Sequence, residues 1–412
     1  MKVRIHRGSE QVGGTCVELE SQGKRILLDL GMPLDAEHGE VPMPAVPGIN
    51  GGDPSLLGVV ISHLHGDHCG LVPYAASGLP LAMGPVAARI LREAEFFTGR
   101  PPLPEPTWPL LNRKTFEIGP FKITPYLMEH SAFDAFALLV EADGRRIFYT
   151  GDFRAHGNDR GPLERLLADP PQGVHALMME GTQIGDGRSG EGPSEDDLRH
   201  TLARRFNEWP GLVLVAWSSQ NLDRLRTVYE AAREARRALA VDLYSADLAR
   251  AARAPGVPAP GSPGLEVYCR RRERIQVKEA REFYRTNSVY PIRIFPEEIA
   301  PRANKLVLML RPSMMRELER AGALPGALAV WSMWRGYLEG VSEKRMAAVL
   351  DRHGVPVEVH HVSGHAYVPA LKSLVGALRP DRLIPIHTER PGRYAALFPR
   401  VEVKHDGEWW EV

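Results

Sequence analysis

The sequence has no excess of charge of either sign: 51 Lys and Arg stand against 51 Asp and Glu, so the formal net charge is zero. A globally basic nucleic-acid footprint is excluded, although a cleft can be positive on a neutral chain. Cysteine is scarce. Cys16, Cys69 and Cys269 are an odd, sparse set that does not make a disulfide framework and points to a reducing compartment. Long apolar runs are absent. Met1-Lys2-Val3-Arg4-Ile5-His6 alternates like a strand with no signal-peptide core after it, so neither secretion nor a membrane span is expected and a cytoplasmic protein is. No internal repeat or low-complexity segment occurs. What remains is a globular composition, 43% hydrophobic and 25% charged, over 412 residues, a length that predicts two domains or one with an insertion.

The first third reads as strands joined by turns. Residues 3–5, 15–19 and 25–30 are short β-rich runs, and 57–62 is a continuous apolar strand. A helix is expected over 85–97, a proline-rich loop over 100–109, and strands over 121–126, 135–141 and 146–150. The Gly-rich stretch 181–193 reads as a crossing between domains. Beyond it Ser194 precedes an acidic first turn, and helices are expected over 198–206 and 222–239 with a strand at 212–217 between them. This alternation predicts an α/β insertion with a parallel sheet. Residues 306–310 and 327–331 are further buried strands, with a loop at 254–264. A helix to His353 and strands at 355–359 and 382–386 follow.

His63-Leu64-His65-Gly66-Asp67-His68 begins where the strand at 57–62 ends. Three imidazoles and a carboxylate in six residues do not suit an apolar core, where unpaired polar groups are costly, but they suit a cation. Imidazole with carboxylate selects Zn²⁺ or a related transition metal. His130, Asp152 and His387 each end a later apolar run, and Gly151 permits the tight turn before Asp152. Each alone reads equally well as a surface-loop residue. Beside the cluster, they supply the ligands that a second metal needs.

In this order along the chain, His63, His65, Asp67, His68, His130, Asp152 and His387 resemble the metallo-β-lactamase superfamily. Glu180 in Met179-Glu180-Gly181-Thr182, His365 in Ser363-Gly364-His365-Ala366 and His387 in Pro385-Ile386-His387-Thr388-Glu389 are similar to the extra motifs of its nucleic-acid-processing β-CASP branch. The likeness is strongest to bacterial and archaeal ribonuclease J. Two departures stand out. Ribonuclease J chains typically continue into a C-terminal domain that helps oligomerisation, whereas this sequence stops at Val412, which leaves monomer and homodimer both open. The Glu180 motif also reads Glu-Gly-Thr-Gln.

The resemblance implies an α/β fold. A four-layer αβ/βα metallo-β-lactamase sandwich would come from residues 1–185 and 341–412, with an α/β β-CASP domain inserted at 186–340. It implies two Zn²⁺, with Mn²⁺ or Mg²⁺ as alternatives. His63, His65 and His130 would hold one metal, Asp67, His68 and His387 the other, and Asp152 would bridge them. The implied substrate is single-stranded RNA, attacked by a two-metal-activated hydroxide, as a 5′→3′ exonuclease with endonuclease activity beside it. Asp67 would orient the hydroxide. His365 would bind the scissile phosphate and protonate the leaving oxygen, with Glu180 favouring its charged form. Ser363 and Gly364 would offer N–H groups to a further phosphate.

Three competing readings remain: a DNA-processing nuclease on the same site, a small-molecule ester or lactone hydrolase, and a silent scaffold. The insertion, Glu180 and His365 count against the small substrate, and the complete ligand set against the scaffold. Arg154, Arg311 and Arg335 are weaker candidates for phosphate contact. Phe133, Trp217, Trp331, Trp334, Tyr337 and Tyr367 are candidates for base stacking, with core packing the better expectation for any single ring. Cys69 is expected to be a small buried hydrophobe. His360, His361 and the remaining histidines, His38 among them, read as solvated or structural.

Overall fold

The computed structural model describes residues 1–36, 39–185 and 190–412. His38 and part of the expected crossing at 181–193 lie outside them. Three sheets organise the described chain. The first has the spatial order Trp409–Glu411, Lys2–Arg7, Cys16–Ser21, Lys24–Leu28, Leu56–Val60, Leu81–Met83, Trp108–Pro109. The second runs Arg382–Ile386, Ala176–Glu180, Arg145–Tyr149, Ala135–Ala142, Phe121–Met128, Phe116–Ile118.

The apolar runs of the second sheet follow from its burial on both faces. Phe136, Leu138, Val140, Ile147, Tyr149, Met178 and Ile384 share one core with Val3, Ile5, Val17 and Leu19 of the first sheet. Ala137, Leu139, Phe148, Leu177, Met179 and Leu383 point the other way. They pack on Leu163 and Leu166 of helix Gly161–Ala168 and on Leu371, Leu374 and Leu378 of helix Val368–Leu378. Successive strand residues face opposite sides, so a strand buried on both reads as continuous apolar sequence. Each such large side chain stabilises the fold by roughly 1.5–3 kcal/mol. Helix Pro85–Thr98 joins the parallel strands Leu81–Met83 and Trp108–Pro109, as a parallel crossover requires. Sheet on sheet, with helices outside, is the αβ/βα sandwich expected from the sequence.

The chain separates into two compact units. Residues Met1–Glu95, Gly99–Gly192 and Gly364–Val412 form the first, which holds both of these sheets. Residues Phe96–Thr98 and Pro193–Ser363 form the second. Its sheet has the order Arg293–Ile294, Leu265–Tyr268, Ala238–Asp242, Leu306–Met309, Val213–Ala216, Leu328–Trp331, Val357–Val359, with every neighbouring pair parallel. The expected return to the first domain at 341 precedes the break at 363/364. Val357–Val359 pairs with Leu328–Trp331, and Met346 and Leu350 of helix Val341–Arg352 join the core of this second unit.

One helix is shorter than expected. The run 222–239 is helical only over Leu222–Glu234. Arg236 turns the chain with φ of 56°. Ala238–Asp242 then enters the middle of the sheet. A short Ala-Leu-Ala-Val run suits a helix or a buried strand equally, and its sheet neighbours decide between them. Leu265–Tyr268, beside it, is a strand that the sequence pattern does not predict. Among the described residues no helix is long and apolar enough to cross a membrane.

Candidate metal centre

Strand Leu56–Val60 leads to Ser62 and His63, and His65 then stands at the N-cap of the short helix Gly66–Cys69. Backbone bonds clamp this turn. Thr15 N–H donates to Asp67 O at 3.0 Å, Leu30 N–H to His68 O at 2.8 Å and Met32 N–H to Gly66 O at 2.9 Å. Cys69 is buried and its thiol donates to Leu64 O. Burial pushes that thiol up to about 12, so it packs as a neutral hydrophobe, as expected.

The other candidates arrive at carboxyl ends of the second sheet. His130 follows Phe121–Met128, Asp152 follows Arg145–Tyr149, Glu180 ends Ala176–Glu180, and His387 follows Arg382–Ile386. Gly151 takes the expected left-handed turn at φ 52°. His387 is left-handed too, at φ 52°, a conformation that costs on the order of 1–3 kcal/mol for a residue with a side chain. Its N–H is held by Gly8 O at 2.7 Å.

These side chains converge. His130 Nε2 lies 3.1 Å from His65 Nδ1, His68 Nε2 3.1 Å from Asp152 Oδ2, and His387 Nε2 3.3 Å from Asp67 Oδ2. His63, His65 and His130 bring one donor atom each within 4.8 Å of one another. The same holds for His63, His68 and Asp152, for Asp67, His68 and His387, and for Asp152, His365 and His387. Among the described residues, His63 Nε2, His68 Nε2 and both oxygens of Asp152 are buried without a hydrogen bond. Such a group of uncompensated nitrogen and oxygen donors fits a divalent cation, which would satisfy them together.

Outer hydrogen bonds fix which ring atoms face inward. His68 Nδ1–H donates to Asp29 Oδ2 at 2.7 Å. Ser62 Oγ also donates to Asp29 Oδ2, at 2.7 Å, so its oxygen accepts from His63 Nδ1–H at 3.0 Å. His130 Nδ1–H donates to Gly364 O at 2.6 Å. A Cβ on residue 364 would lie 2.3 Å from Ser131 Oγ, so only glycine brings that carbonyl to the ring. In each ring Nε2 is thereby the atom turned inward, and in the neutral rings of His63 and His130 its lone pair is left for a ligand. Asp29 also accepts from Tyr149 O–H at 2.6 Å. Thr182 Oγ1 lies 3.0 Å from His387 Nδ1.

Electrostatics separates the imidazoles. Burial drives His63 and His130 well below the usual imidazole range, and His65 to about 4. They are neutral, which is the metal-binding form. His68 goes the other way: burial opposes its charge, but the Asp152 and Asp29 carboxylates hold it well above the usual range. Burial likewise opposes the charge of Asp152, yet His387, His68 and His365 hold it well below the carboxylate range. His365 Nδ1 lies 3.4 Å from Glu180 Oε2 and 3.7 Å from Asp152 Oδ2. Against the cost of burial, those two carboxylates raise it to about 9. Glu180 is itself fixed, with Oε1 accepting from Ala366 N–H and Oε2 from Thr182 N–H.

The centre thus gathers His63, His65, Asp67, His68, His130, Asp152, Glu180, Gly364, His365 and His387 in the first unit, while Ser363 is the last residue of the second. Asp29, Ser62, Tyr149 and Thr182 are partners that the sequence reading missed. For Asp29 a signal exists: an acid inside Leu27-Leu28-Asp29-Leu30, where a core strand should have none. Two phosphate candidates are corrected. Arg154 is fully buried with Nε on Glu129 at 2.8 Å, and Arg311 donates to Asp242 and to Trp217 O. Both guanidiniums are spent on protein oxygens, whereas Arg335 is exposed.

The family model of the Beta-lactamase superfamily domain matches residues 24–246, just over half of the chain. That of a Zn-dependent metallo-hydrolase RNA specificity domain matches residues 355–397. Ribonuclease J of Helicobacter pylori is 25% identical over 253 residues, 56% of this chain and 34% of that protein. Ribonuclease J of Mycoplasma genitalium is 22% identical over 424 aligned positions, covering 94% of this chain and 68% of the relative. An RNase J-like protein of Methanocaldococcus jannaschii is 40% identical over 72 residues, 18% of this chain and 15% of the relative. The chain therefore matches about a third of the length of the Helicobacter relative. A crystal structure of a protein of unknown function from Enterococcus faecalis V583 superposes with a TM-score of 0.80 at 19% identity, covering 99% of each chain. The donor set and the metallo-hydrolase match agree on a divalent metal, and the chain belongs to the beta-lactamase superfamily, with similarity to the ribonucleases J.

Proposed function

We propose that the chain is a metal-dependent ribonuclease that hydrolyses phosphodiester bonds of single-stranded RNA, 5′→3′ from the end and internally as well. One observation carries the reading. The unbonded Nε2 atoms of His63 and His68 and both oxygens of Asp152 are buried together, and the His365–Glu180 pair stands beside Asp152. His63, His65 and His130 would hold one Zn²⁺, Asp67, His68 and His387 a second, and Asp152 both, with Mn²⁺ or Mg²⁺ as alternatives. Such cations supply a nucleophile at neutral pH and offset charge on phosphoryl oxygens.

The chain's own residues do the rest. Asp29 and the Gly364 carbonyl hold His68 and His130 in their ligand-facing orientation. Asp67 accepts a hydrogen bond from the attacking water and orients it. His365, kept in its charged form by Glu180, binds the scissile phosphate and gives its proton to the leaving oxygen. The N–H groups of Ser363 and Gly364 receive a further phosphate of the strand. The RNA specificity match spans 363–365, and with the likeness to ribonucleases J it supports RNA over DNA or a small ester.

The test uses the Zn²⁺-loaded protein and its His365→Ala variant. Each is given 5′-monophosphate RNA, 5′-triphosphate RNA, matched DNA and a lactone. Mononucleotides from 5′-monophosphate RNA are expected, and they disappear in the variant while its metal content stays the same. Lactone turnover without nuclease activity overturns the substrate, and metal loss in the variant overturns the role of His365.

A further inference from the structure

The charge of this neutral chain is unevenly spread. Residues 270–293 carry eight Arg and Lys against three Glu. They form helix Arg271–Ala280, helix Tyr284–Ser288, the short turn Tyr290–Ile292 and strand Arg293–Ile294, which is one edge of the second unit's sheet. Arg270 and Arg285 are each tied to carboxylates. Arg271, Arg272, Lys278 and Arg281 are different: all four are exposed, and none forms an ion pair among the described residues.

Aromatic rings are interleaved with these cations. Phe283, Tyr284 and Tyr290 are 49%, 57% and 71% exposed. They are not loose. The Arg285 guanidinium, pinned to Asp247 Oδ2 at 2.7 Å, lies 5.2 Å from the centre of the Tyr284 ring and 4.2 Å from that of Phe96. Neither feature serves stability. Arginines in the first turn of a helix work against its dipole, and exposed rings forgo burial. Where local rules are broken together, a function is the usual reason.

A single-stranded polyanion with flat bases answers both features. Its phosphates neutralise the cations and its bases stack on the rings. An anionic membrane would use the cations, but it needs a continuous apolar face, and here exposed Arg281, Asn287 and Ser288 interrupt the rings. We propose that this sheet edge, residues 271–291, is a second binding surface for single-stranded RNA. The choice of RNA rests on the proposed function, whereas the charge and the rings do not.

The test is equilibrium binding of a fluorescent 5′-hydroxyl oligouridine in the presence of a chelator. The wild type is compared with Tyr290→Ala and with the combined Arg271→Gln, Arg272→Gln, Lys278→Gln, Arg281→Gln variant. The combined variant should flatten the slope of log affinity against log salt by about 3, at roughly 0.7 per lost phosphate contact. Tyr290→Ala should weaken binding about fivefold or more. Both should keep wild-type metal content, and 4-thiouridine RNA should crosslink to the wild type within 283–290. An unchanged salt slope with crosslinks elsewhere overturns the proposal. So does loss of binding to phosphatidylserine vesicles with RNA binding intact, which would give the surface to a membrane. If RNA binds here but the metal-loaded protein does not cleave it, the hydrolytic reading fails and this one stands.

Discussion

Arg224 and Asp152 are both fully buried ionic side chains, yet the protein completes the bonding of only one. Arg224 uses all five of its N–H groups. Nε and Nη2 donate to Glu195 at 3.0 and 2.7 Å, Nη1 to the carbonyl and hydroxyl oxygens of Ser332 at 2.7 Å each, and Nη2 also to Val362 O at 3.0 Å. Glu195 in turn accepts from Thr227 Oγ1 at 2.7 Å. Asp152 has imidazoles around it, with His68 Nε2 nearest at 3.1 Å, and among the described residues neither of its oxygens accepts a well-formed hydrogen bond. A closed network needs nothing further and holds structure. An open one of the same burial is costly unless something else completes it. Completeness of bonding, more than charge or burial, separates the structural network from the candidate metal centre.

The contrast can be broken by substitution. Asp152→Asn should remove metal, read by elemental analysis, and cut nuclease turnover on the order of a thousandfold or more, as losing several kcal/mol of charge stabilisation implies. Unchanged activity in that variant would end the two-metal assignment. Arg224→Ala should instead cost about 3–5 kcal/mol in urea unfolding, because it strands the Glu195 carboxylate. The metal-free Asp152→Asn protein should lose less than that. If the two metal-free variants unfold alike, the distinction between open and closed networks is wrong.

A milder change probes the layer behind the candidate ligands. Asp29→Asn keeps the shape but weakens the hold on His68 Nδ1 and Ser62, and metal affinity should fall about 10- to 100-fold by titration with a chromophoric chelator. Equal affinity would make Asp29 a core residue only.

A third buried network gives the smallest effect. Burial works against the charge of Glu18, but hydrogen bonds from His6 and Arg25 hold it below the usual carboxylate range. Arg25 also reaches Asp53 at 2.9 Å. A carboxylate depressed in the folded state stabilises above its unfolded pKa of about 4.3 and loses that contribution as pH falls further. Thermal stability should therefore drop below about pH 4, and less steeply in Glu18→Gln. Parallel melting curves for both proteins would show that this network does not set the acid limit.

Much of the geometry of the candidate centre was legible because its candidate ligands obey a local rule. His63, His130, Asp152 and His387 are polar residues that end apolar strands, and both halves of that statement can be read from neighbours in sequence. The insertion was legible as strand–helix alternation, but its strand at Ala238–Asp242 was not, because an alanine-rich run takes its form from the sheet that receives it. Arg154 and Arg311 illustrate the opposite failure. A guanidinium looks like a phosphate ligand until its carboxylate is located, and for Arg154 that is Glu129, on another strand end.

From its sequence alone the chain determined where apolar strands end and which metal-binding side chains stand there, since side-chain type and the period of two are local properties. Only the tertiary structure decided which of those atoms are left without partners. Asp29 reaches Ser62, His68 and Tyr149, and Gly364 reaches His130, across long stretches of chain. Whether a buried polar group is satisfied depends on such distant contacts, and no local pattern records them.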